Sequence, residues 1–155
     1  MTATGTPVAP APRAVEPGWV AQLRREGAAR FEGLRLPTTR EEDWRFTDLS
    51  PIARAELGPA RAPGTLTEAD LAPFLFGHAE WPRLVFANGR LQPALSRLVG
   101  LPAGARVGSL AELLLDAPDL VEDTLGKLAV QPAAAALVGQ NASAFTDGYA
   151  VVLPA

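Results

Sequence analysis

Four carboxylates, Glu41, Glu42, Asp43 and Asp48, lie between Pro37 and Pro51 beside Arg40, Arg45, Trp44 and Phe46, in a chain otherwise rich in alanine, leucine, proline and glycine. Carboxylates this close could hold a hard cation or divide acid and base roles. Consecutive helical positions point in different directions, so Glu41, Glu42 and Asp43 do not converge as ligands. Nor does a glycine-bearing calcium loop surround them. Solvated charges balanced by Arg40 and Arg45 are the favoured reading. Trp44 and Phe46 could stack on a base or ligand ring, but acidic neighbours repel phosphate. Both are therefore expected to be structural anchors that tie a polar connector to the core.

Other chemistry is thinly supplied. The chain has no cysteine, which excludes thiolate ligation, disulfides and cysteine nucleophiles within it. His78 is the single histidine, so no histidine pair exists for zinc, and a serine relay would have to use this one imidazole. A local role for His78 near a helix end is favoured over catalysis. Ser96, Ser109 and Ser143 stand in no nucleophile-elbow context. Residues 101–109 carry glycines without the lysine or spacing of a phosphate-binding loop, and read as a turn leading through Val107 into a capped helix. Lys127 is the one lysine among 14 basic residues, which removes most Schiff-base candidates.

Net charge is -3, from 17 acidic and 14 basic side chains spread along 155 residues. Such a surface is a poor partner for nucleic acid, which wants a concentrated basic patch. The opening dozen residues match neither a signal peptide nor a membrane span, so no membrane partner and a cytoplasmic location are expected. Residues 1–15, rich in proline and alanine, are expected to form a flexible tail, followed by an α/β domain over 16–144.

Several elements must position these groups. Trp19, Leu23, Gly27 and Phe31 recur every four residues after Pro17, with Val20 and Leu34 widening the stripe, which predicts a helix over Gly18–Glu32 anchored by Trp19. Gly27 would let another element approach closely. Arg24, Arg25, Glu26 and Arg30 are expected to be solvated. Thr39 with Glu42, or Thr38 with Glu41 one register earlier, has the form of a capping box for a short helix near Arg40. Thr67 caps a third helix with Asp70, placing Leu71, Phe74 and Leu75 in the core, and Pro73 should shorten it.

Asn88-Gly89 supplies the two positive-φ residues of a tight hairpin. Ser109 with Glu112 caps a helix stopped near Pro118. Further helices are expected over residues 120–128, with Leu120, Thr124, Leu125 and Leu128 on one side, and from Pro132 towards Asn141. After the turn Thr146-Asp147-Gly148, residues 149–153 form a strand that is an edge liability, able to self-associate unless it completes a sheet with the Asn88-Gly89 hairpin. The expected class is α/β of the α+β type: a helical N-terminal domain with a small antiparallel hairpin sheet. Residues 145–155 would then be the first strand of the next domain.

The ordered motifs carry a family likeness. Pro37-Thr38-Thr39-Arg40-Glu41-Glu42-Asp43-Trp44-Arg45-Phe46-Thr47-Asp48-Leu49 resembles the N-terminal signature of the SufB/SufD iron-sulfur cluster assembly family, its SufD branch more than its SufB branch. Leu84-Val85-Phe86-Ala87-Asn88-Gly89-Arg90-Leu91 and Phe145-Thr146-Asp147-Gly148 follow in the family's order. The resemblance implies a longer protein, in which this fragment precedes a truncated parallel β-helix that begins at the last strand. It also implies pairing of SufD with SufB and docking of the SufC ATPase, so that the whole assembly carries the iron-sulfur cluster while this fragment binds none. Under that reading the domain is not an enzyme, and Arg40, Glu41, Glu42, Arg45 and Asp48 are its candidate partner-contact surface. An unrelated interaction module and a weak hydrolase using His78 remain as alternatives.

Overall fold

The computed structural model describes residues 16–55, 58, 60–129 and 132–154. The tail expected over 1–15 therefore lies outside the described residues, as does part of the loop near Gly58. In chain order the elements are α1 (Gly18–Glu32), α2 (Ser50–Arg54), α3 (Glu68–Leu71), β1 (Phe86–Ala87), β2 (Arg90–Leu91), β3 (Arg106–Ser109), α4 (Leu110–Asp116), α5 (Asp119–Glu122), α6 (Ala135–Ala144) and β4 (Tyr149–Val152). Helices with small antiparallel sheets make this an α+β fold. The chain divides into two compact units, Met1–Pro59 with Pro118–Phe145, and Ala60–Ala117 with Thr146–Ala155.

In the first unit α1 lies against α6. Pro17 opens α1 by accepting the amides of Val20 and Ala21 at 3.0 and 3.2 Å, and its own missing N–H costs nothing at a helix start. Val20, Gly27 and Phe31 are buried on α1, and Ala136, Gly139 and Ser143 are buried on α6. These are spacings of three, four and seven that put each set on one face. A Cβ on Gly27 would stand 2.8 Å from the Gly139 carbonyl oxygen, and one on Gly139 would stand 2.8 Å from that of Gly27. The two backbones touch, as the sequence predicts for Gly27. Leu34, expected on the buried stripe, is exposed because α1 ends at Glu32 and the chain leaves the stripe.

Arg24 corrects the expectation of a solvated side chain. Its side chain is only 12% exposed and forms an ion pair with Glu16 at 3.0 Å. The guanidinium also donates to the carbonyls of Phe145 at 2.7 Å and Ser143 at 3.3 Å, and lies 4.1 Å from the Phe145 ring centre. It closes the carbonyl end of α6, where a cation suits the dipole. The helix expected over residues 120–128 is also shorter than its pattern. After Glu122 the chain turns, Gly126 adopts φ +77 against the Leu23 side chain, and Leu128 is left exposed.

Within the second unit, the Asp70 carboxylate accepts the Thr67 amide at 2.8 Å and its hydroxyl at 2.7 Å, starting α3. Pro73 ends it: the chain passes into a 3-10 turn over Ala72–Phe74, and Phe74, expected in the core, points to water at 71% exposure. Asn88 and Gly89 take φ values of 50 and 73, and β1 pairs antiparallel with β2 across them. The Asn88 amide also donates to the Arg61 carbonyl at 3.1 Å.

Among the described residues no three-stranded sheet forms with this hairpin. Instead β4 pairs antiparallel with β3, Val107 opposite Val151 and Ser109 opposite Tyr149, giving two separate two-stranded sheets. The turn expected within residues 101–109 forms, with the Ala105 amide donating to the Pro102 carbonyl at 3.0 Å and Gly104 at φ 83, and the chain then runs as the strand Arg106–Ser109, which the sequence did not show, into the capped α4. Ala150 is buried on one face of β4 and Val151 is exposed on the other.

Candidate functional site

The charged segment between Pro37 and Pro51 is built from local hydrogen bonds. Of the two capping registers, Thr38 with Glu41 is the one formed: the Glu41 carboxylate accepts the Thr38 amide and, at 2.9 Å, its hydroxyl, and also pairs with Arg35. The expected helix near Arg40 is only a 3-10 turn over Glu42–Trp44, because Glu41 is extended and its carboxylate is committed three residues back. Those donors, the Thr38 amide first and its hydroxyl second, hold the Glu41 carboxyl down at about 2, well below its ordinary 4.5. Asp48 is lowered in the same way by the amide and hydroxyl of Ser50, each at 2.9 Å.

The two aromatics of this segment behave differently. The Trp44 indole N–H donates to the Ala133 carbonyl at 2.8 Å, and the ring is half-buried. It is an anchor, as the sequence suggests. Phe46 is not: it is 86% exposed, its ring covered on one side by the Arg45 guanidinium at 4.4 Å. The tight 3-10 turn carries it outward, and Leu49, three residues on, takes the buried place instead. Trp19 is half-buried on α1.

Of the candidate contact residues, Glu42 and Arg45 pair at 2.9 Å, Arg40 is exposed, and Glu41 and Asp48 are tied to backbone. The five carboxylates and guanidinia thus share one segment without converging on a point. Among the described residues no group of three His, Asp or Glu side chains could hold a metal ion.

His78 is an exposed loop residue. Its ring stacks on Trp81 at 3.7 Å and 6°, and its Nδ1 lies 3.7 Å from Glu80. Each candidate serine is engaged elsewhere: Ser96 donates to the Gln92 carbonyl, Ser143 to that of Gln140, each at 2.8 Å, and Ser109 to Asp147 at 2.8 Å. No serine–histidine relay is assembled by these partners.

One hub escaped the sequence reading. Asp147 Oδ1 accepts the Ser109 hydroxyl at 2.8 Å, the Ala111 amide at 3.0 Å and the Gly148 amide at 2.8 Å. Ser109 in turn accepts the Glu112 amide at 3.1 Å, and the Leu110 amide donates to the Gly148 carbonyl at 2.9 Å. Three of the orphan donors at the start of α4 are thereby satisfied, and the entry of β4 is fixed to them. The available signal was the pairing of a capping serine with a lone aspartate flanked by threonine and glycine.

Comparison with known proteins places these features in a family. The model described as the SufBD protein N-terminal region matches residues 14–155. An iron-sulfur cluster assembly SufBD family protein of Synechocystis sp. is 32% identical over 133 residues, which cover 85% of this chain and 29% of that relative. The chain thus spans under a third of the length of the curated relative it matches. No solved structure matches it with significance. The chain belongs to the SufB/SufD family of iron-sulfur cluster assembly proteins and carries that family's N-terminal region.

Proposed function

We propose that the chain serves as the N-terminal domain of a SufD-like scaffold subunit, acting in the cytoplasm with SufB-like and SufC-like proteins and without catalysis of its own. The observation that carries this reading is the match of the N-terminal family region across residues 14–155. Family membership supports a role in iron-sulfur cluster assembly; the SufD assignment rests on the motif from Pro37 to Leu49. The cluster is cargo of the assembly. Residues of this chain offer it no thiolate and a single imidazole, His78, which is stacked on Trp81.

Within this role, Arg40, Glu41, Glu42, Arg45 and Asp48 form the partner-contact surface. Arg40, Glu42 and Arg45 are the members free to face another protein, since Glu41 and Asp48 hold their own turns together. The exposed Tyr149 and Val151 of β4 are a second surface, prone to self-association when left uncovered. Co-purification of the gene product that carries this sequence with SufB-like and SufC-like proteins tests the reading. Stable co-purification is expected, weakened by joint reversal of Arg40, Glu42 and Arg45; absence of any complex with the unaltered protein would overturn it.

A further inference from the structure

Between Arg61 and Arg83 the chain carries three acidic residues, Glu68, Asp70 and Glu80, and no lysine or arginine. The same stretch presents Phe74, Phe76 and Trp81 to solvent, at 71%, 84% and 57% exposure. Among the described residues neither phenylalanine stacks on a ring or lies beneath a guanidinium. Three large aromatic rings facing water within eight residues exceed the scattered apolar exposure of an ordinary surface.

The backbone holds these rings in place. Phe76 and Gly77 take consecutive left-handed conformations, φ 49 and 80, an unfavourable state for a bulky residue. The His78 amide donates to the Leu75 carbonyl at 2.9 Å and the Trp81 amide to that of His78 at 3.2 Å. The His78 ring lies flat on Trp81. Arg83 ties down the loop by donating to the Ala79 and Leu95 carbonyls at 3.3 and 3.0 Å, and its fork spends the charge of Glu68 at 2.7 Å to each oxygen. Asp70 and Glu80 are exposed: Glu80 adjoins Trp81 in sequence, and Asp70, four residues before Phe74, keeps its charge while its carboxylate accepts the Thr67 cap.

We propose that residues 74–81 are a docking surface for a basic segment of a protein partner, its arginine or lysine side chains lying over the aromatic faces with Asp70 and Glu80 alongside. Ring faces attract cations through their quadrupole, and the carboxylates add charge complementarity. The same carboxylates repel nucleic acid or an acidic peptide, and a purely apolar segment would leave them uncompensated at the rim. Pre-ordering of the loop reduces the ordering cost of binding. This surface lies on a different stretch of the chain from the segment around Arg40 and does not depend on which paralogue the chain represents.

Fluorescence anisotropy with a labelled nona-arginine peptide tests the proposal on the whole protein, with nona-glutamate and a neutral apolar peptide as comparisons. Nona-arginine should bind most tightly, with affinity falling as salt is added. Phe76→Ala should weaken it about fivefold, and Asp70→Asn with Glu80→Gln by a similar factor. Asp116→Asn with Asp119→Asn removes the same charge elsewhere and should change it less than about twofold. Glu80→Gln alone, at an exposed site, keeps the test valid if the double variant fails to fold. Equal weakening by the control pair, no binding of nona-arginine, or preference for the neutral peptide or for lipid vesicles would overturn the proposal.

Discussion

The helix pair of the first unit and the strand–helix junction of the second reach order by opposite means. Between α1 and α6 the contact is backbone on backbone, made possible by the missing side chains of Gly27 and Gly139. At β3, α4 and β4 it is one carboxylate, Asp147, that collects donors from all three elements or their ends. Close helix packing tolerates no added volume, whereas a polar hub tolerates changes of shape but not loss of its acceptor. The two regions should therefore fail under different substitutions.

The largest effect is expected at the helix crossing. Gly27→Val puts a branched side chain where a Cβ already lies 2.8 Å from the Gly139 oxygen and 2.9 Å from the Ser143 amide nitrogen. Urea unfolding should show a loss of about 3 kcal/mol or more. Stability unchanged by Gly27→Val would mean that the two backbones do not touch.

Next is the hub. Asp147→Ala strands the Ser109 hydroxyl and the amides of Ala111 and Gly148, and should cost about 2 to 3 kcal/mol. Asp147→Asn keeps an acceptor oxygen and should lose less. An equal loss in both would show that charge, rather than accepting geometry, holds this junction.

Arg24 sharpens the contrast, because it brings a polar hub to the helix pair. Arg24→Ala removes its bonds to Glu16 and to the Ser143 and Phe145 carbonyls and should cost about 2 kcal/mol in the same assay. Arg24→Lys keeps the charge without the fork and should fall between.

The charged segment should respond more weakly. Trp44→Phe loses the bond to Ala133 and should cost about 1 kcal/mol, while Phe46→Ala, at a residue in water, should stay within about 0.5 kcal/mol. The smallest effect is that of pH. Because the folded Glu41 carboxyl is held down at about 2, its contribution is fully present above the ordinary carboxylate value. It is lost as pH falls towards 2. Carbon-detected NMR titration should show Glu41 titrating well below 4.5, and Thr38→Ser should preserve this where Thr38→Val, which removes the hydroxyl, raises it in part.

Periodic and turn-coded features were legible in the sequence. Pro17 and an apolar stripe define α1, Asn88-Gly89 supplies the φ values of the hairpin, and Ser109 with Glu112 marks the start of α4. What escaped depends on partners distant in sequence. Arg106-Val107-Gly108-Ser109 has neither the length nor the alternation of a strand, and is one because Tyr149–Val152 lies beside it. Arg24 sits off the apolar stripe, yet the open carbonyls at the end of α6 draw it in.

Hydrophobicity also misled at Phe46 and Phe74, where 3-10 turns after short starts turn the rings outward. Within the charged segment the sequence singled out Trp44, whose indole bonds to Ala133, but the choice between Thr38–Glu41 and Thr39–Glu42 needed coordinates, since both registers carry the same residue types.

The central claim is that these residues give a cluster-assembly protein a folded domain and contact surfaces, while cluster ligands come from elsewhere in the assembly. Anaerobic incubation of the chain with ferrous iron and sulfide, followed by desalting and iron and sulfide analysis with visible absorption, tests it most directly. The account predicts no stable, stoichiometric cluster on this chain alone. A cluster retained in fixed ratio to protein after desalting would contradict it.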